Sequence, residues 1–123
     1  MSEQSDLGKL GEAYAADHLR KSGYTILAQN YFIPDNRKAE VDIVATKDNH
    51  LVFVEVKTRS SDYLNDVSLM VPMRKQRQVI KAAAEFVQEK NIDLPWRFDI
   101  IYIVINSKYT KHEHIEDAFY PTL

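Results

Sequence analysis

At 123 residues, 45% hydrophobic and 28% charged, the chain has the size and composition of one globular domain, 1–123, with apolar mass enough for a core. It contains no cysteine, which excludes disulfides, thiolate metal sites and thiol nucleophiles, and no apolar run approaches the roughly 20 residues of a membrane span. The net charge of −2 gives no global pull toward nucleic acid, and Met1–Asp6 is not a secretory signal, so a cytoplasmic location is the default expectation.

Ser5 or Asp6 can cap a first helix running to about Lys21. Leu7, Leu10, Tyr14, Ala15 and Leu19 recur along it at helical spacing. Gly8 and Gly11 are poor helix formers whose spacing leaves a flat strip, predicting close approach to another element. Gly23 ends the helix as a left-handed residue would. Tyr24–Ala28 follows as a first strand, and Asn30–Lys38 is predicted as a loop around Pro34-Asp35-Asn36.

Glu40–Ala45 and Leu51–Arg59 read as two strands joined at Asp48-Asn49. Val41, Ile43 and Ala45 are expected to share a face with Val52, Val54 and Val56, with Val44 and Phe53 on the other. A hairpin apolar on both faces is a central one, covered on both sides. Ser60–Val71 is a loop whose length points to a functional or mobile segment. Pro72 opens a second helix to about Lys90, with Val79, Ile80, Ala83, Phe86 and Val87 as its apolar stripe. Phe98–Ile105 is a buried strand, and His114–Phe119 a short last one. The order α, β, β, β, α, β, β predicts an α/β fold with a mixed sheet between helices.

Charges interrupt the apolar hairpin at Glu40, Asp42, Glu55 and Lys57. If Lys47 and His50 flank a two-residue turn, Asp42 faces Glu55 and Glu40 faces Lys57, all on one side. Directly opposed Cβ atoms stand roughly 4.5–5.5 Å apart, and two carboxylates that close repel unless a proton or cation intervenes. Hard oxygen ligands of this kind suit Mg²⁺ or Mn²⁺, with Lys57 beside them to hold a water or offset charge on phosphorus. The competing reading is an ordinary ion pair between Glu40 and Lys57 on a solvated face. Glu12 is either a further carboxylate near the metal or a solvent-facing helical residue. Arg74, Lys75, Arg77 and Lys81 open the second helix against its macrodipole, either as a phosphate grip or as a solvated face. His112 and His114 present two imidazoles on one face if extended, a conceivable zinc pair with no further ligand pattern after it.

Gly11-Glu12, Gly23-Tyr24, Ile26-Leu27, Asn30, Glu40–Ala45, Val52–Lys57 with Arg59, Lys75, Arg97-Phe98-Asp99, His114-Ile115 and Ala118-Phe119 fall in an order that resembles the YraN-like family of small bacterial proteins. More distantly it is similar to archaeal Holliday junction resolvases of the PD-(D/E)XK nuclease superfamily. The resemblance implies a restriction-endonuclease-like three-layer α/β/α fold with a central mixed sheet. It implies Asp42 and Glu55 as metal ligands with Glu12 assisting, Lys57 as catalytic lysine, and Lys75 as a basic residue on the following helix. Ala39 and Val41 depart from the Gly and Ile usual around the Glu-Ile-Asp motif, and neither change removes a reactive group. The expectation is a Mg²⁺-dependent (or Mn²⁺-dependent) DNA endonuclease acting on branched or damaged DNA. Arg59, Arg74, Lys75 and Arg77 would contact the backbone, and a homodimer would suit a two-fold substrate. The alternative is a non-catalytic nucleic-acid-binding or interaction module on the same fold.

Overall fold

The computed structural model describes residues 6–61 and 71–121. The Ser5 cap and residues 62–70 of the Ser60–Val71 loop lie outside the described residues. The elements are α1 (Asp6–Lys21), β1 (Thr25–Ile33), β2 (Asn36–Lys47), β3 (His50–Arg59), α2 (Met73–Glu89), β4 (Trp96–Ile105) and β5 (Thr110–Phe119). They form one five-stranded sheet in chain order, with β3 and β4 parallel and the other neighbours antiparallel. The predicted element order and mixed α/β sheet are therefore borne out. Among the described residues, no helix is long and apolar enough to cross a membrane.

Helix α1 ends as its glycine requires. Gly23 has φ 92°, its N–H donates to Arg20 O, and the Tyr24 N–H reaches back to Leu19 O. The β2–β3 turn places Asp48 and Asn49 at φ 51° and 61°, the paired left-handed geometry that matches strand twist. The register of that hairpin is the predicted one, from Lys47 opposite His50 to Ile43 opposite Val54.

Residues of β3 alternate between two apolar clusters. Leu51 and Phe53 join Val79, Ala82, Ala83 and Phe86 of α2, whereas Val52, Val54 and Val56 join Ala15, Ala16 and Leu19 of α1. Both faces of the central hairpin are thus covered by apolar side chains.

Four expectations need correction. The segment Asn30–Lys38 is no loop: β1 runs to Ile33 and β2 starts at Asn36, leaving only Pro34-Asp35 as turn. Aromatic contacts outweigh the turn formers there, with Tyr31 edge-on to Phe86 at 5.0 Å and Arg37 over the Phe32 ring at 4.5 Å. Leu10 is 58% exposed, because α1 meets the sheet through Gly11, Ala15 and Ala16 instead. The last strand begins at Thr110 rather than His114, since pairing with β4 continues out to Ile105. Val41 belongs with Ala39 and Val44 in the α2-side cluster, not with Ile43 and Ala45. Strict alternation fails at Asp42, next to the last β2–β3 pair.

The glycine strip has a definite partner. A Cβ at Gly11 would overlap the Thr58 hydroxyl and stand 2.9 Å from Thr58 Cβ and Cγ2. Gly11→Ala is expected to destabilise the fold by about 1–3 kcal/mol, the usual cost of overpacking. Adding Thr58→Ala should recover only part of this, because the Thr58 Cβ remains in the way. Urea denaturation of the two variants checks both statements.

A second polar cluster ties β5 to β4 on the α1 side. Asp99 is 0% exposed. It accepts from Arg97 Nε at 3.0 Å, Arg97 Nη2 at 3.2 Å, His114 Nε2 at 2.8 Å and the Asp117 N–H at 3.1 Å. Burial pushes this carboxyl up, but the donors from His114, Arg97 and Asp117 outweigh burial and hold it below its ordinary value. Arg97 also donates to the Tyr24 hydroxyl at 2.8 Å.

Candidate active site at the end of the central hairpin

Beyond Ile43 and Val54 the β2–β3 ladder stops. Side chains replace backbone pairing: the Val56 N–H donates to Asp42 Oδ2 at 2.8 Å, and the Asp42 N–H donates to Glu55 Oε2 at 3.2 Å. The expected ladder pairs Asp42–Glu55 and Glu40–Lys57 are therefore absent. Each carboxylate is instead fixed by an amide of the opposite strand, which satisfies that amide and orients the oxygens together. The break in alternation at Asp42 and this exchange of partners occupy the same two strands at the same place.

Around the break lies an open cleft of about 260 Å³, lined by Gly8 and Glu12 of α1, Asp42 of β2, Glu55–Arg59 of β3 and Lys75 of α2. It brings together Asp42, Glu55, Lys57, Glu12, Arg59 and Lys75 of the predicted site residues. Arg74 and Arg77 lie outside it, exposed on α2. Glu40 is half-buried and not among the lining residues.

Three carboxylates share a poorly solvated space. Glu55 is 1% exposed and Glu12 is 8% exposed, so Glu12 is not the solvent-facing helical residue of the alternative reading. Burial, then the neighbouring Asp42, pushes the Glu12 carboxyl up to about 7, against a lowering hydrogen bond from Asn30. Burial also raises Asp42, and burial together with Asp42 raises Glu55. Glu40 rises for the same two reasons. An isolated surface ion pair does not explain four carboxyls pushed upward together. Burial and mutual repulsion thus favour the protonated forms of these carboxyls in the cation-free cleft.

Lys75 differs from its expected role. Its Nζ is 3.8 Å from Glu55 Oε1, inside the cleft, where it favours the ionised forms of Asp42 and Glu55 ahead of Lys57. Sequence reasoning grouped Lys75 with Arg74 and Arg77 because all three open one helix. Helical spacing separates them, with Lys75 turned to the sheet and half-buried. Asn30 was also missed as a site residue. It sits at φ 54° within β1, a conformation that asparagine tolerates, and hydrogen-bonds Glu12. Tyr102, beside Lys57 in the β3–β4 register, has a buried hydroxyl with no hydrogen-bond partner among the described residues.

Among the described residues, no three His, Asp or Glu side chains already stand as a closed metal-ligand set. The donor chemistry nonetheless fits a hard divalent cation. Oxygen donors alone converge, burial is high, and upward-shifted carboxyls gain by exchanging protons for a metal.

A family model described as "Uncharacterised protein family UPF0102" matches residues 11–103. The chain is 46% identical over 120 residues to the UPF0102 protein of Flavobacterium psychrophilum, covering 98% of both chains. It is 43% identical to a UPF0102 protein of Christiangramia forsetii, again over 98% of both. A relative in Parabacteroides distasonis is 42% identical, over 98% of this chain and 97% of its own.

Proposed function

The chain belongs to the UPF0102 family, and we propose that it is a metal-dependent endonuclease that hydrolyses DNA phosphodiester bonds at this cleft. The observation that carries the proposal is the convergence of Asp42, Glu55 and Glu12 with Lys57 and Lys75 where the β2–β3 ladder opens. In this reading the fold is restriction-endonuclease-like, a three-layer α/β/α arrangement of the PD-(D/E)XK kind, related to Holliday junction resolvases.

Asp42 and Glu55, with Glu12 at the edge, would hold Mg²⁺ or Mn²⁺. When bound, the ion supplies Lewis-acid stabilisation of the phosphate and a more acidic water. The chain's own residues do the rest. The amides of Val56 and Asp42 keep the two carboxylates aimed into the cleft. Lys57 directs an ammonium to the attacking water and to the charge that grows on the phosphate oxygens. Lys75 holds positive charge beside Glu55 and approaches the same phosphate. Arg59 lies at the mouth, and Arg74 and Arg77 extend a basic rim along α2. The first turn of α2 contains no acidic residue, and its Pro72 cap makes no side-chain bond, so an incoming phosphate would relieve the unfavourable cations there.

Cleavage of duplex and four-way-junction DNA in Mg²⁺ or Mn²⁺ tests the proposal. Arg74→Ala and Arg77→Ala should each weaken DNA binding and reduce the slope of log K against log salt by about 1. Lys75→Ala, which removes the cation beside Glu55, should depress turnover far more than either arginine variant does. Salt-dependent DNA binding with no cleavage of any substrate would favour the non-catalytic module.

A further inference from the structure

The residues Arg97, Asp99 and His114 lie apart from the cleft, and the proposed hydrolysis leaves them unused. They converge with α1 in a way the chain order does not announce. His112 and His114 do project to one side of β5, as expected for an extended pair. The nearest imidazole nitrogen to His114, however, comes from helix α1: His18 Nε2 stands 3.3 Å from His114 Nδ1. The His112 ring centroid is 4.4 Å from that of His18.

Protons can be assigned from the partners. Asp99 has no hydrogen to give when ionised, so His114 Nε2 carries the proton in its 2.8 Å bond to Asp99 Oδ2. When that ring is neutral, its lone pair lies on Nδ1, the nitrogen that faces His18. A buried carboxylate that fixes one imidazole nitrogen and frees the other is the arrangement that orients histidine toward a metal. The 3.3 Å separation is long for a hydrogen bond between rings. It matches two nitrogens each about 2.0–2.1 Å from a tetrahedral ion, which are roughly 3.3–3.4 Å apart. His112 is exposed and His114 half-buried, so solvent reaches the pair. The nearby Arg97 guanidinium is matched by Asp99 and by Glu116 at 3.7 Å.

We propose that His18 Nε2 and His114 Nδ1 form a two-imidazole site for a borderline divalent cation of the zinc type, completed by water or by His112. Nitrogen donors would select Zn²⁺, Co²⁺ or Ni²⁺ over the Mg²⁺ suited to the carboxylate cleft. Tyr14, whose hydroxyl is 2.6 Å from His112 Nδ1, steadies the third ring.

The test uses the full chain carrying Asp42→Asn, so that signals from the acidic cleft are suppressed. Imidazole ¹⁵N spectra are recorded during Zn²⁺ titration, and visible spectra during Co²⁺ titration. The expected result is a shift confined to His18 Nε2, His114 Nδ1 and the His112 ring, with the absorption of four-coordinate Co²⁺. His18→Ala, at a half-exposed position, and His114→Gln, which keeps a donor for Asp99, should each weaken Co²⁺ by roughly tenfold or more. Unshifted imidazole resonances in excess Zn²⁺, or equal Co²⁺ affinity in His18→Ala, would overturn the proposal and leave an imidazole–imidazole hydrogen bond. Neither outcome depends on whether the chain cleaves DNA.

Discussion

Asp42→Asn is expected to reduce metal-dependent DNA cleavage by roughly 10³-fold or more, while leaving duplex affinity equal or higher. The asparagine keeps an oxygen for the Val56 N–H, so the strand junction survives. It removes the charge on which cation binding depends. It also lowers the negative potential facing the phosphodiester, which is why DNA affinity does not fall with activity. Glu55→Gln should behave similarly, since the glutamine amide oxygen can still accept from the Asp42 N–H. Single-turnover cleavage and fluorescence anisotropy on the same preparations separate the two effects. Parallel loss of cleavage and binding in both variants would mean that these carboxylates maintain the fold rather than the chemistry.

The ion-free protein is expected to lose stability as pH rises, the reverse of the usual carboxylate case. Burial first, and Asp42 second, raise Glu12 from an ordinary 4.5 to about 7 in the folded chain. The folded state therefore holds a proton that the unfolded state has released. Its contribution is fully present below about pH 4.5 and disappears as pH climbs through about 7. The difference amounts to roughly 3 kcal/mol, and in a domain of this size to a fall in Tm of roughly 10 °C. Asp42 shifts in the same direction, and Glu55, pushed up to about 8, extends the loss to higher pH. Asp99 is depressed and works oppositely: its contribution is present above the unfolded value and vanishes as pH falls through the folded one. Maximum stability without metal should thus lie on the mildly acidic side. Calorimetric scans in EDTA from about pH 5 to 8 check this, and Glu12→Gln should flatten the curve. A Tm unchanged across that range would contradict the assignment of Glu12 to a crowded carboxylate site.

Much of this architecture could be read along the chain because local chemistry and tertiary packing agree. Asp48-Asn49 prefers the left-handed turn it adopts, and that turn sets the register from Lys47–His50 to Ile43–Val54. Gly11 was legible as a contact surface because only close packing rewards a glycine within a helix, and Thr58 supplies that contact. Departures occur where three-dimensional partners override local preference. Nothing in Tyr31-Phe32-Ile33 reveals that Phe86 waits to receive a strand there. Alternation misplaced Val41, because it assumes a ladder that ends one residue before Asp42. Lys75 was grouped by sequence proximity with residues that its helix turns away from it. The third imidazole was invisible because His18 and His114 are neighbours only through the packing of α1 beside β5. At the site, the carboxylates were identifiable as opposed like charges, but not the backbone amides that bind them.

The chemistry of the cleft and its effect on stability both reduce to one claim: Asp42, Glu55 and Glu12 form a cation site. Titration calorimetry with Mn²⁺, on wild type and Asp42→Asn, with and without a short four-way-junction DNA, addresses it most directly. The expected result is saturable binding to wild type, strengthened by DNA, that releases protons at about pH 7 and is lost in Asp42→Asn. Absence of Mn²⁺ binding to wild type even with DNA present, or equal binding by the variant, would contradict it.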